Sequence, residues 1–129
     1  MYNTIWYDNL TKPFLNPPSW IFTPVWIILY ITIFIALILY TVVITKKNKL
    51  NGYVVFIVHM IFNLIWSPVF FLLKRIDIAL FIIIIIDLTA IMILKNFWNI
   101  SKISCVILIP YLAWLLFATY LNCQILILN

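Results

Sequence analysis

Acidic residues, glycine and histidine are nearly missing from this chain: its 129 residues include three Asp and Glu together, one Gly and one His. The lone glycine, Gly52, rules out a glycine-rich phosphate loop. One His and two Cys form no cluster with metal-ligand spacing, and the scattered acids supply no paired carboxylates for acid–base work. No nucleophile–base motif is present either, so no catalytic set and no metal site is assigned. Cys105 and Cys123 stand 18 residues apart in one apolar stretch. On a helix that is about 27 Å, far beyond disulfide reach, and both read as small core residues. Residues 1–16 lack the apolar run of a cleavable signal peptide. Asn9-Leu10-Thr11 and Asn99-Ile100-Ser101 match the glycosylation pattern, which is short enough to arise by chance.

Charge is also scarce, at 9% of residues, whereas apolar residues make up 67% and the mean hydropathy is +1.22. Soluble domains carry roughly a quarter charged residues, so the solvent of this chain is lipid. Four apolar stretches, at 24–45, 53–73, 76–94 and 103–128, each reach the ~17–25 residues that cross a hydrocarbon core. The unbroken run Ile82–Ile86 does not alternate as a barrel strand would. The expected fold is therefore an all-α integral membrane protein, a single helical bundle over 1–129 with four transmembrane helices. Residues 1–23 form a proline- and aromatic-rich lead-in.

The net charge of +5 does not point to nucleic acid. Its cations sit at helix ends, where snorkelling side chains meet headgroups. Lys46, Lys47, Lys49, Lys95 and Lys102 fall on one side, and Lys12, Lys74 and Arg75 on the other. This split of five to three weakly places both termini outside.

Polar residues inside a span mark the places to look for function. His59, Asn63, Trp66 and Ser67 share one helical face, pointed at the bundle interior by their spacing of four and three. The plainer reading makes them interhelical hydrogen-bond glue. Pro68 follows and is expected to kink the helix or free a carbonyl. Asp87 is the one acid well inside a span. It reads either as a proton or cation carrier or as an inward-facing acid helped by Thr89 or His59. Tyr111, Trp114, Ala118 and Asn122 line one face of the last span, and Pro110 either bends that helix or sets where it becomes regular.

The lead-in Pro17-Pro18-Ser19-Trp20-Ile21-Phe22-Thr23-Pro24-Val25-Trp26 is too rich in proline to be regular helix before Pro24. It reads as a stiff aromatic lid running into a helix.

Four segments together resemble the TspO family, also called the translocator protein, peripheral-type benzodiazepine receptor or tryptophan-rich sensory protein family. They are Trp6-Tyr7 with Leu10 and Lys12-Pro13; Asn16 to Trp20 leading to Pro24-Val25-Trp26 and Leu29-Tyr30; Asn63 to Pro68 with Phe70-Phe71; and Pro110 to Trp114 with Phe117 to Asn122.

The resemblance implies a five-helix bundle that often dimerises, embedded in the lipid bilayer (the cell membrane in a bacterium). It implies a pocket for porphyrins and other tetrapyrroles, or for similar flat apolar molecules, in a sensor, receptor or transport role. No obligatory cofactor is implied. By position, Trp26, Tyr30, Asn63, Trp66, Trp114, Ala118, Leu121 and Asn122 are expected at the pocket, and Trp20, Phe22, Thr23 and Val25 in its lid.

The sequence departs from the family in four ways. The family's first helix is not among the four stretches, and Met1 falls where the loop after it begins. The acid usual near the start of the family's fourth helix corresponds to Ile82. Cys123 stands where some bacterial members have Trp, which weakens a reading as a light-dependent porphyrin-degrading protein. No Lys or Arg follows Tyr120, as the animal cholesterol motif requires. An alternative from another class is a small proton-coupled exporter using Asp87.

Overall fold

A computed structural model describes residues 5–12 and 21–129. Every regular element among them is helical: α1 (Ile5–Asp8), α2 (Phe22–Val42), α3 (Leu50–Phe71), α4 (Ile76–Trp98) and α5 (Lys102–Leu128). The last four are each long and apolar enough to cross a membrane. The chain is thus a multi-pass helical membrane bundle.

Most helix ends differ by a few residues from those expected from hydropathy, α3 closing at Phe71 instead of residue 73, and local bonding accounts for the others. α2 begins at Phe22, before Pro24. The first four N–H groups of a helix have no partner within it, so a proline in the first turn costs no bond. α2 stops at Val42, short of residue 45, where the Lys49 ammonium donates to the carbonyls of Thr41 (2.7 Å) and Val43 (2.6 Å). α3 starts three residues early, at Leu50, whose N–H donates to Asn48 Oδ1 at 2.8 Å. α4 runs on to Trp98, because Lys95 is exposed at the helix end and Asn96 donates back to Met92 O at 2.8 Å. α5 starts at Lys102, where the Ser101 side chain accepts from Ser104 N–H. Pro110 therefore lies inside α5 and does not set its start. Its ring is on the exposed side, where the missing N–H displaces no packed neighbour.

Apolar side chains cover both the inside and the outside of the bundle. The outward set includes Ile27, Ile31 and Phe34 on α2 and Ile57, Ile61 and Leu64 on α3, as expected of lipid-facing surface. The inward set includes Ile33, Ala36, Ile83, Ile86, Phe97, Leu115 and Ile125. Lipid tails are as apolar as leucine, so close packing and interhelical hydrogen bonds hold such a core together. α3 packs on α4, α4 on α5, and α5 on α2. Small residues permit close approach: Ala36 and Ser104 are fully buried, and Ser104 Oγ donates to Ala36 O at 2.8 Å.

The bundle has two distinct ends. The lysine end holds the C-terminus of α2, the start of α3, the α4–α5 turn and the start of α5. There Tyr40 stacks on Phe97 (centroids 4.2 Å apart, planes at 13°) and donates to Lys49 O at 2.8 Å. Gly52 faces the Tyr40 hydroxyl so closely that a Cβ would collide with it, which accounts for the glycine.

The opposite end, the lid end, carries residues 5–12. Trp6 packs edge-on to Phe70 at 5.7 Å, and Thr11 exchanges two hydrogen bonds with Asn129 (3.1 and 2.8 Å). Between α3 and α4, Lys74 takes a left-handed conformation (φ 55°) that lets the chain reverse over a few residues.

Candidate ligand site

The expected site residues cluster toward the lid end, in three helices. On α2, Trp26 and Tyr30 are one turn apart, with ring centroids at 5.9 Å. On α3, Asn63 and Trp66 face them. The Tyr30 hydroxyl donates to Asn63 Oδ1 at 2.9 Å, and the Trp26 and Trp66 rings lie 6.3 Å apart. On α5, Asn122 accepts from Trp66 Nε1 at 3.1 Å and donates to Ile76 O at 3.1 Å, fixing the α4 start against α5.

The three aromatic rings are half-buried, whereas Asn63 and Asn122 are buried. Trp66 also stacks on Phe70 at 5.1 Å, so the aromatic surface continues to Trp6. No charged side chain belongs to this set.

Other expected residues sit nearby without joining these contacts. Ala118 and Leu121 are buried on the α5 face that carries Asn122. Trp114 is half-buried, and its ring meets Phe117 at 5.5 Å. Among the lid residues, Val25 packs against the core and Thr23 is exposed. Phe22 is placed by its backbone alone at the first residue of α2, and Trp20 lies outside the described residues.

A chain of hydrogen bonds runs from this site into the centre of the bundle. Asn63 Nδ2 donates to Tyr111 Oη (2.7 Å), Tyr111 Oη meets His59 Nε2 (2.7 Å), and His59 Nδ1 meets Thr89 Oγ1 (2.8 Å). Thr89 donates to the Ile85 and Ile86 carbonyls at 3.0 and 2.9 Å.

With Asn63 Nδ2 turned toward Tyr111 and Oδ1 toward Tyr30, one set of directions satisfies every group. Tyr111 accepts from Asn63 and so gives its proton to His59 Nε2. His59 must then carry its proton on Nδ1 and donate to Thr89, whose own proton goes to the α4 backbone. His59 is thereby a neutral imidazole with a fixed tautomer. The chain links α2, α3, α5 and α4 through side chains that are all buried except Tyr30.

Asp87 does not join this chain, because Thr89 and His59 are committed to one another. Its partner is Thr119 on α5: Asp87 Oδ2 lies 2.5 Å from Thr119 Oγ1, which also lies 2.8 Å from Leu115 O. Asp87 Oδ1 is buried and has no hydrogen-bond partner among the described residues.

Behind Tyr111, a cavity of about 10 Å³ is lined by Ile33, Ala90, Ile93, Leu94, Leu108, Tyr111 and Leu112. That is room for about one water and none for a macrocycle. No grouping of side chains able to hold a metal ion occurs among the described residues.

Comparison with known proteins agrees with the resemblance seen in the sequence. Residues 1–128 match the profile of the TspO/MBR family. The tryptophan-rich protein TspO of Chlorobaculum tepidum is 39% identical over 125 residues, covering 96% of this chain and 79% of that protein. The tryptophan-rich sensory protein of Cereibacter sphaeroides is 34% identical, with 96% and 77% covered. The human translocator protein is 29% identical, with 91% and 70% covered.

Proposed function

The chain belongs to the TspO/MBR family, and on that footing we propose that it binds porphyrins or similar flat, largely apolar ring molecules at the lid end and acts as a membrane sensor, carrier or regulator. The observation that supports this reading is the meeting of Trp26, Tyr30 and Trp66, from two helices, around two buried amides. Flat conjugated ligands gain most from aromatic faces, and a few placed polar groups then fix their orientation. Half-buried rings can also present a face to a ligand without dismantling the core.

The test is a titration of the detergent-solubilised protein with protoporphyrin IX, read by tryptophan fluorescence. Saturable quenching that weakens in Trp26→Phe and Trp66→Phe is expected. Absent saturation, or quenching indifferent to both substitutions, sinks the proposal.

A second reading, proton-coupled export, is favoured by one observation, the buried Oδ1 of Asp87, which has no hydrogen-bond partner among the described residues. A membrane acid in that state is positioned to exchange a proton. Reconstituted vesicles should then lose proton-driven efflux in Asp87→Asn, and identical efflux in both proteins removes this reading.

A further inference from the structure

The eight cations of the chain are distributed and used unequally. Around the lid end, Lys12, Lys74 and Arg75 share the surface with Asp8 and Asp77. Arg75 forms an ion pair with Asp77 at 3.1 Å, Lys12 donates to the Asp8 and Leu10 carbonyls, and the Lys74 ammonium lies 6.0 Å from the centre of the Trp6 ring.

The lysine end carries Lys46, Lys47, Lys49, Lys95 and Lys102 and no acid at all. Two of these serve the fold. Lys49 closes the end of α2, and Lys47 Nζ reaches Asn99 O at 2.8 Å, drawing the α2–α3 loop onto the α4–α5 turn. That bond brings the loop that carries Lys46 and Lys47 to the turn flanked in sequence by Lys95 and Lys102. Lys46, Lys95 and Lys102 are exposed and have no carboxylate or carbonyl partner among the described residues. Lys102 lies 5.1 Å from the centre of the exposed Trp98 ring.

Like charges held together without an acid repel one another, and an anion relieves that repulsion. The surrounding surface indicates which anion. Ile44, Leu50, Trp98 and Ile103, close neighbours of these lysines along the chain, are exposed as well. Apolar side chains, a tryptophan and lysines at one depth mark the boundary between acyl chains and headgroups. A soluble acidic partner would have to cover the apolar residues as well, whereas a phospholipid satisfies both at once.

We propose that the lysine end is a selective docking surface for anionic phospholipid headgroups, centred on Lys46, Lys95 and Lys102 around the α4–α5 turn. The lid end has no such preference, because its cations are shared with acids, backbone carbonyls and an aromatic ring.

The experiment uses the full chain in bilayer nanodiscs of phosphatidylcholine and phosphatidylglycerol, extracted gently and read by native mass spectrometry for retained lipid. Wild type should retain phosphatidylglycerol in excess of its share. The combined variant Lys46→Gln, Lys95→Gln and Lys102→Gln should cut that excess by at least roughly fivefold, while Lys74→Gln leaves it unchanged. In wild type the preference should also fall as salt is raised. Equal retention of the two lipids, or a preference lost in Lys74→Gln but kept in the triple variant, overturns the proposal. Displacement of the lipid by inorganic phosphate at constant ionic strength would show a free-anion site instead and would overturn it too.

Discussion

The two ends of this bundle are held by different kinds of bond. At the lysine end, side chains mostly bond to backbone carbonyls: Tyr40 to Lys49, Lys49 to Thr41 and Val43, Lys47 to Asn99, and Ser104 to Ala36, with Tyr53 to Thr41 Oγ1 as the exception. Within the candidate ligand site, side chains mostly bond to side chains: Tyr30 to Asn63, Asn63 to Tyr111, and Trp66 to Asn122, with the Asn122 bond to Ile76 O as the exception. A carbonyl is fixed by its helix, so bonds to it lock helix positions. A phenol or amide can exchange its partner for a ligand atom when a rotamer changes. On the proposed function, one end acts as framework and the other as binding surface.

The largest effect should come from removing the wedge at the framework end. Tyr40→Ala deletes a buried ring that stacks on Phe97 and donates to Lys49 O. It is expected to destabilise the bundle by about 3–5 kcal/mol, as read by thermal unfolding in detergent. Porphyrin affinity should be unchanged at temperatures where the variant stays folded. A Tyr40→Ala protein as stable as wild type would break the distinction between the two ends.

Gly52→Val tests the same region from the opposite helix by forcing a side chain against the Tyr40 hydroxyl. About 1–3 kcal/mol of overpacking is expected, and a double variant with Tyr40→Phe should recover part of it.

Tyr111→Phe acts between the two ends. It leaves Asn63 Nδ2 and His59 Nε2 without the Tyr111 hydroxyl they share. Single interhelical hydrogen bonds in membranes average well under the value in water, so a loss of about 1–2 kcal/mol is expected. Porphyrin affinity should weaken as well, because Asn63 is no longer held in place. Nuclear magnetic resonance of the His59 ring would show whether the single tautomer dissolves into a mixture.

The smallest stability change should come from Trp26→Phe at the half-buried surface, within about 0.5 kcal/mol. Its effect should appear in porphyrin binding instead, the reverse of Tyr40→Ala.

The number and approximate placement of the spans were legible in the sequence because hydropathy reports the solvent of each residue. Their ends were not, since caps decide them. Asn48, Lys49 and Ser101 terminate or start helices by one or two hydrogen bonds that an apolar average does not register. Within one helix, periodicity showed that His59, Asn63 and Trp66 share a face, and the structure buries the first two completely or nearly so.

Pairings between helices were less legible. The register of one helix against another is not written in the period of either, so Thr119 could not be singled out as the partner of Asp87. Thr89, two residues along the same helix, and His59, the chain's one histidine, were the candidates. They fail because a histidine on α3 and a threonine on α4 satisfy each other first.

Hydrogen–deuterium exchange with and without protoporphyrin IX tests the central claim most directly, because it reports both ends of the same molecule at once. Protection confined to the segments around Trp26, Trp66 and Asn122, with Tyr40, Gly52 and Ser104 unchanged, is the predicted result. Protection centred on the lysine end, or spread evenly over all four membrane helices, would contradict it.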